Sequence, residues 1–130
     1  MINLMSISYK IFNDENISEL DILFCIESQD ELFSTLECTI SFTAHHILRK
    51  KNYYIDGKCY IRNLLTLCQH RGKGYANKLI MFLKNYCQNT RINEIRLDDC
   101  SQKFRCIDNI YIKNGFRYEH DYGPEMICLI

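Results

Sequence analysis

Arg71-Gly72-Lys73-Gly74-Tyr75-Ala76-Asn77 is the stretch whose residue types and spacing best suit chemistry. Leu64 to Leu67 ahead of it read as the end of an apolar strand. Behind it Ala76, Leu79, Ile80, Leu83 and Cys87 recur at helical spacing, so a helix begins at or just before Tyr75. Two glycines at a helix entry let backbone come close to a ligand and adopt positive φ at least cost. The first turn of a helix offers unpaired N–H groups and the positive end of the macrodipole. Together they make a phosphate cradle, and Arg71 and Lys73 add cationic charge to it. A nucleotide P-loop needs Ser or Thr after its lysine, which Lys73 lacks, and the dinucleotide fingerprint fails because Asn77 stands at its third glycine.

The run Arg71-Gly-Lys-Gly-Tyr-Ala76 resembles the acetyl-CoA loop of the GNAT N-acetyltransferase superfamily, Gln/Arg-x-x-Gly-x-Gly/Ala, with Arg71, Gly74 and Ala76 at its fixed positions. A second register, Gln69-x-x-Gly72-x-Gly74, also fits the letters. Tyr111-Ile-Lys-Asn-Gly115-Phe116 is similar to the Tyr-x-x-x-Gly-Phe that these domains carry at the end of a later helix. The likeness is good over residues 58–130 and rests on element order alone before that. The sequence departs from the family pattern where Phe104 and Ile107 replace an Asn and an Ala, and where Cys68 replaces a Pro ahead of the loop.

The resemblance implies a single-domain α/β protein with a mixed sheet, residues 1–130, in which an amine attacks acetyl-CoA directly. It implies cofactor contacts from Leu65, Thr66, Leu67, Arg71, Gly72, Lys73, Gly74, Tyr75, Ala76 and Asn77, the backbone near 65–67 supplying the oxyanion donors. Alkyl amines of the lysine type are protonated at neutral pH, with pKa near 10.4, so a base is required. Asp99 is expected in that role, with Asp98 or a water chain as alternatives, and Tyr111 as the acid that protonates the thiolate. No metal is expected. A GNAT-like fold serving as a non-catalytic binding or regulatory module is the other reading.

Ser6 to Phe12 alternates as a strand, Asn13 to Asn16 is a turn, and the apolar spacing from Ile17 to Ile26 predicts a helix, followed by a short second one. In this family a helix-loop-helix here walls the acceptor cleft. The eight acidic residues from Asp14 to Glu37, with no Lys or Arg among them, would draw in cationic amines. Leu36 to Phe42, His45 to Lys51 and Tyr60 to Leu67 read as strands, with Asp56-Gly57 a hairpin turn. Residues 75–88 form the helix. Glu94 to Asp99 is a strand parallel to residues 60–67. Ser101 to Asn114 reads as a helix capped by Gly115, and two antiparallel strands close the chain.

With 16 basic and 16 acidic residues, no whole-chain field points to nucleic acid or a membrane surface, and neither is expected as a partner; a homodimer is compatible with the chain. Eight cysteines without a Cys-x-x-Cys pair argue for reduced, mostly buried thiols and a cytoplasmic setting rather than disulfides or zinc. No signal peptide or membrane span is expected.

Overall fold

The computed structural model describes residues 6–13 and 18–130. Nine strands, β1 (Ser6–Phe12), β2 (Glu19–Ser28), β3 (Glu31–Ser41), β4 (Ala44–Leu48), β5 (Lys51–Ile55), β6 (Lys58–Thr66), β7 (Glu94–Asp98), β8 (Arg117–Tyr118) and β9 (Glu125–Leu129), are joined by helices α1 (Tyr75–Asn89) and α2 (Ile110–Lys113). Seven strands form one mixed sheet in the order β1-β2-β3-β6-β7-β9-β8, and β4-β5 is a separate two-stranded ribbon. Among the described residues only β6 and β7 pair in parallel, as expected of two strands linked through α1. Alternate residues of the strands bury one face of the sheet. Leu20, Ile22, Phe24, Ile26, Leu36, Cys38, Ile40 and Ile95 meet Leu79, Ile80, Leu83 and Cys87 of α1, all nearly inaccessible.

The N-terminal third departs from expectation. Residues 19–28 are a strand: Leu20, Ile22, Phe24 and Ile26 point into the core at period two, and Asp21, Leu23 and Cys25 line the opposite face. Leu23 and Cys25 fill the polar positions of that alternation with apolar groups, which is why the run also fits a helical pattern. β1 and β2 are a direct antiparallel pair with Phe12 opposite Asp21. The connection, residues 13–18, is too short for a helix-loop-helix; of the expected turn, Asp14, Glu15 and Asn16 lie outside the described residues. The acidic residues Asp21 and Glu37 therefore stand on a sheet face. Asp30 falls in the turn between β2 and β3, with Glu27 and Glu31 at the strand ends beside it.

Asp56-Gly57 does not join paired strands. It links the ribbon to β6, while the hairpin turn is at Arg49-Lys50, between Leu48 and Lys51. Gly57 is needed for room, since a Cβ there would lie 2.8 Å from Cβ of Tyr54 and 3.0 Å from Cγ1 of Ile92.

The expected helix over 101–114 shrinks to Ile110–Lys113. Residues 101–109 make successive tight turns, with Phe104 N–H donating to Ser101 O, Cys106 to Lys103 and Asn109 to Cys106. Ile107, 93% exposed, could not have faced a core. Gly115 does follow the helix with φ +88°, as a C-terminal glycine should. Four of the eight free cysteines (Cys38, Cys59, Cys87 and Cys128) are buried, whereas Cys68, Cys100 and Cys106 are exposed.

Candidate active site

β6 carries the site because it leaves its neighbour. Its pairing with β7 stops at Ile61 opposite Leu97. The register against β3 shifts at the next residue, Asn63 facing Glu37 while Ile61 faces Cys38, so Arg62 is an extra residue. Such a bulge bends a strand, and here β6 diverges from β7 beyond it. The gap is a cavity of about 250 Å³ lined by Arg62, Asn63, Leu64, Asp98, Cys100, Ser101 and Tyr111 among others. On the β3 side Leu67 N–H donates to Phe33 O at 3.0 Å, and Leu65 O accepts from Ser34 Oγ at 2.8 Å. Backbone groups alternate in direction along a strand, so Leu64 and Thr66 turn their N–H groups toward the gap. Of the three residues expected to donate there, Thr66 faces the gap and Leu65 and Leu67 face β3.

After β6 a single 3₁₀ turn, Cys68–His70, leads into the glycine loop. Gly72 and Gly74 have φ +78° and +80°, and a Cβ built on either meets nothing within 4 Å. Glycine is required here by backbone conformation, and the space above is open to a ligand. The first helical bond of α1 is Lys78 N–H to Gly74 O, which leaves the N–H groups of Tyr75, Ala76 and Asn77 without intrahelical acceptors. A second cavity, about 500 Å³, is lined by Thr66, His70, Arg71, Gly72, Gly74, Tyr75, Ala76, Asn77, Ser101 and Ile110. Ser101 borders both cavities, so the cradle and the β6–β7 gap adjoin at that residue. Lys73 is exposed beside it. An elongated molecule with a phosphate group at one end fits this arrangement.

Several side chains fix the loop. Arg71 Nε donates to Thr66 O at 3.2 Å, tying the loop to the end of β6. His70, missed in the sequence, bonds Glu31 Oε1 through Nε2 at 2.8 Å and stacks on Phe33 with centroids 4.1 Å apart, while Phe33 stacks on Tyr75. Glu31 thus braces His70 at the entry to the glycine loop. Asn77 Oδ1 accepts from Asn114 Nδ2 at 2.8 Å, and Lys84 Nζ donates to Asn114 O at 2.8 Å, so α1 and the end of α2 are pinned together.

Tyr111, on α2, borders the gap. Its hydroxyl has no hydrogen-bond partner among the described residues. Burial, helped by the charge of Asp99 and by Cys100, pushes its pKa up to about 12, so the phenol keeps its proton throughout the physiological range. Asp99 lies elsewhere. It is 3% exposed and accepts from Ser101 N–H at 3.0 Å, Asn109 Nδ2 at 2.8 Å and Tyr118 Oη at 2.6 Å. Burial pushes its pKa up, but the bonds from Ser101, Tyr118 and Asn109 outweigh it and hold the carboxyl below its ordinary value. Those bonds make Asp99 a clamp on the 99–109 turns rather than a group facing substrate. Asp98 points the other way, exposed, into the gap, and accepts from Tyr60 Oη at 2.8 Å.

Asn109 is the residue that replaced most of the expected helix. Fully buried, it caps α2 through Oδ1, which accepts from Tyr111 N–H at 2.8 Å and Ile112 N–H at 3.3 Å, while Nδ2 holds Asp99 and Lys103 O. Replacing Asn109 by Ala removes a cap worth about 1 kcal/mol and leaves a buried carboxylate short of a donor at about 1–3 kcal/mol, so urea denaturation should show a loss of roughly 2–4 kcal/mol. A second consequence concerns acid. A carboxyl held below its unfolded value near 3.9 contributes stability fully present above that pH and lost as pH falls through the folded value. Asp99→Asn should therefore flatten the acid limb of the stability curve.

No family model matches the sequence, and the search of curated proteins returned no match. Solved structures do match. The PaiA N-acetyltransferase of Thermoplasma acidophilum, in complex with coenzyme A, superposes with TM-score 0.60 at 18% identity, over 89% of this chain and 64% of that one. The NatC complex bound to Gag peptide and CoA matches at 0.60 and 17%, over 97% and 99%. NAA60 of Arabidopsis thaliana, with a bisubstrate analogue, matches at 0.60 and 14%, over 96% and 97%. The chain has the GNAT fold. At these identities the likeness is one of architecture. Among the described residues no group of three or more His, Cys, Asp or Glu could hold a metal ion, and no helix is long and apolar enough to cross a membrane.

Proposed function

We propose that this chain is a single-domain N-acetyltransferase that moves an acetyl group from acetyl-CoA to an amine. The observation that carries this reading is the glycine-loop cradle lying beside the β6–β7 gap, with Ser101 bordering both, where Tyr111 offers a hydroxyl unengaged among the described residues. The thioester supplies an activated acetyl carbon. Arg71, Gly72, Gly74 and the N–H groups of Tyr75 to Asn77 would hold the pyrophosphate. The N–H groups of Thr66 and Leu64 would hold the carbonyl oxygen as its charge grows. Tyr111 would give its proton to the sulfur leaving as thiolate, and Asp98, alone or through water, would take the proton from the attacking ammonium. The neighbours solved with CoA or a bisubstrate analogue support the choice of co-substrate.

The acceptor in this reading is a cationic amine: a small molecule, a lysine side chain or a peptide N-terminus. Asp21 and Glu37 line a groove of about 260 Å³ that shares Arg62 with the gap, and Asp98 lines the gap itself. The groove attracts cations through its carboxylates, and Arg62 offsets them only in part, 3.6 Å from Glu37 and 3.8 Å from Asp21. With a Debye length of about 8 Å at physiological salt, the apparent KM for the amine should climb as ionic strength rises. Glu37→Gln should raise it about threefold with the KM for acetyl-CoA unchanged, on the order of magnitude of one partly screened charge.

The reaction is tested by incubating the chain with acetyl-CoA and a panel of amines, and scoring CoA release. Turnover with a polyamine or lysine-containing peptide supports the proposal. Tight acetyl-CoA binding without turnover on any amine would favour the non-catalytic module.

A further inference from the structure

Away from the cleft, at the opposite end of β6, the ribbon β4–β5 collects cations. No acidic residue occurs between Glu37 and Asp56, and Arg49, Lys50 and Lys51 occupy and flank the turn. None of the three forms an ion pair among the described residues. Arg91, just past the end of α1, joins them by lying over the ring of Tyr53 of β5, 4.7 Å from its centroid.

The backbone at Arg49, Lys50 and Arg91 lies in the left-handed region, as it also does at Gln29, Asp30 and Arg105. Arg49 and Lys50 have φ +53° and +66°, a turn for which Asn-Gly is the favoured pair. Arg91 has φ +65° at the position after a helix where glycine is favoured. So three positions whose conformation suits glycine or asparagine carry arginine or lysine, at one end of the molecule. The base of the ribbon is anchored, with Tyr54 N–H donating to Thr90 O and Tyr54 Oη hydrogen-bonded to Tyr86 Oη of α1 at 3.0 Å, whereas its tip is exposed, Ile47 and Leu48 being 72% and 61% accessible.

We propose that this ribbon is a docking arm for nucleic acid, gripping the phosphodiester backbone through Arg49, Lys50, Lys51 and Arg91. A lipid surface fits less well. Ile47 and Leu48 are neighbours on one strand and point to opposite faces, so only end-on entry would bury both, and that would drive Arg49 and Lys50 deepest into the hydrocarbon. Contact with phosphates needs only the exposed tip. Neutrality of the whole chain is no obstacle, because Asp21 and Glu37 line the groove beside Arg62 whereas Arg49, Lys50 and Lys51 stand at the ribbon tip. The arm leaves the cleft uncovered, since β6 separates the two by nine residues of strand, about 30 Å.

The test is fluorescence anisotropy with a 20-nucleotide single-stranded RNA and a 20-base-pair DNA duplex, run beside sedimentation with phosphatidylserine vesicles. Four phosphate contacts give a dissociation constant on the order of 10⁻⁵ M at low salt, weakening about 50-fold on single strands between 50 and 200 mM salt. The variant Arg49→Asn, Lys50→Gly, Arg91→Gly relieves the backbone while removing three charges. It should melt no lower than the parent and bind at least tenfold more weakly, with acetyl-CoA affinity unchanged. Absence of salt-dependent binding by the parent to either probe, equal binding by the variant, or binding to vesicles but not to nucleic acid would overturn the proposal.

Discussion

Gly74→Glu should abolish acetyl-CoA binding while the protein stays folded. Position 74 has φ +80°, so any side chain there costs of the order of 1 kcal/mol of backbone strain, which a folded domain tolerates. No protein atom lies within 4 Å of the added Cβ, so the fold itself is not crowded. The added carboxylate instead stands at the N-terminus of α1, among the N–H groups of Tyr75 to Asn77, where it occupies the anion site and repels pyrophosphate. Titration calorimetry should detect no heat of acetyl-CoA binding by the variant, and circular dichroism should show parental structure. Parental affinity in a folded variant would mean that phosphates do not sit on this loop.

Tyr111→Phe should lower turnover by about 10²–10⁴, the range for loss of a positioned general acid, with acetyl-CoA affinity almost unchanged. The ring stays, so its contact with Phe116, centroids 5.9 Å apart, is kept. Among the described residues the hydroxyl has no hydrogen-bond partner, so its deletion leaves none of them unpaired. Because the phenol ionises only near pH 12, the parent should show no loss of activity from this group on the alkaline side of neutrality. Turnover within twofold of the parent would make Tyr111 a packing residue.

What was legible in the sequence is what local rules decide. The glycine loop, α1 and Gly115 each follow from neighbouring residues, through positive φ and helical spacing, and the parallel pairing of β6 and β7 follows from the helix between them. Non-local partners governed the rest. Residues 19–28 are a strand because β1 and β3 flank them, and Leu23 and Cys25, on the outer face, concealed the alternation. The 101–109 turns exist because Asn109 and Tyr118 reach back to Asp99, contacts across 10 and 19 residues that no window of sequence displays. The same contacts took Asp99 out of the cleft and left Asp98, its neighbour on the opposite face, beside the gap. Asn109, with its side chain ideal for a helix N-cap and three residues ahead of Ile112, was the one local signal for the true start of α2.

Amide chemical shifts during an acetyl-CoA titration address the central claim most directly, because they report where on the chain the co-substrate sits. Binding in the cleft should perturb Thr66, Gly72, Gly74, Tyr75, Ala76 and Asn77 most strongly, with Tyr111 next and the β4–β5 ribbon unmoved. Saturable binding that leaves the amides of residues 72–77 unshifted, or no binding at millimolar acetyl-CoA, would contradict the account.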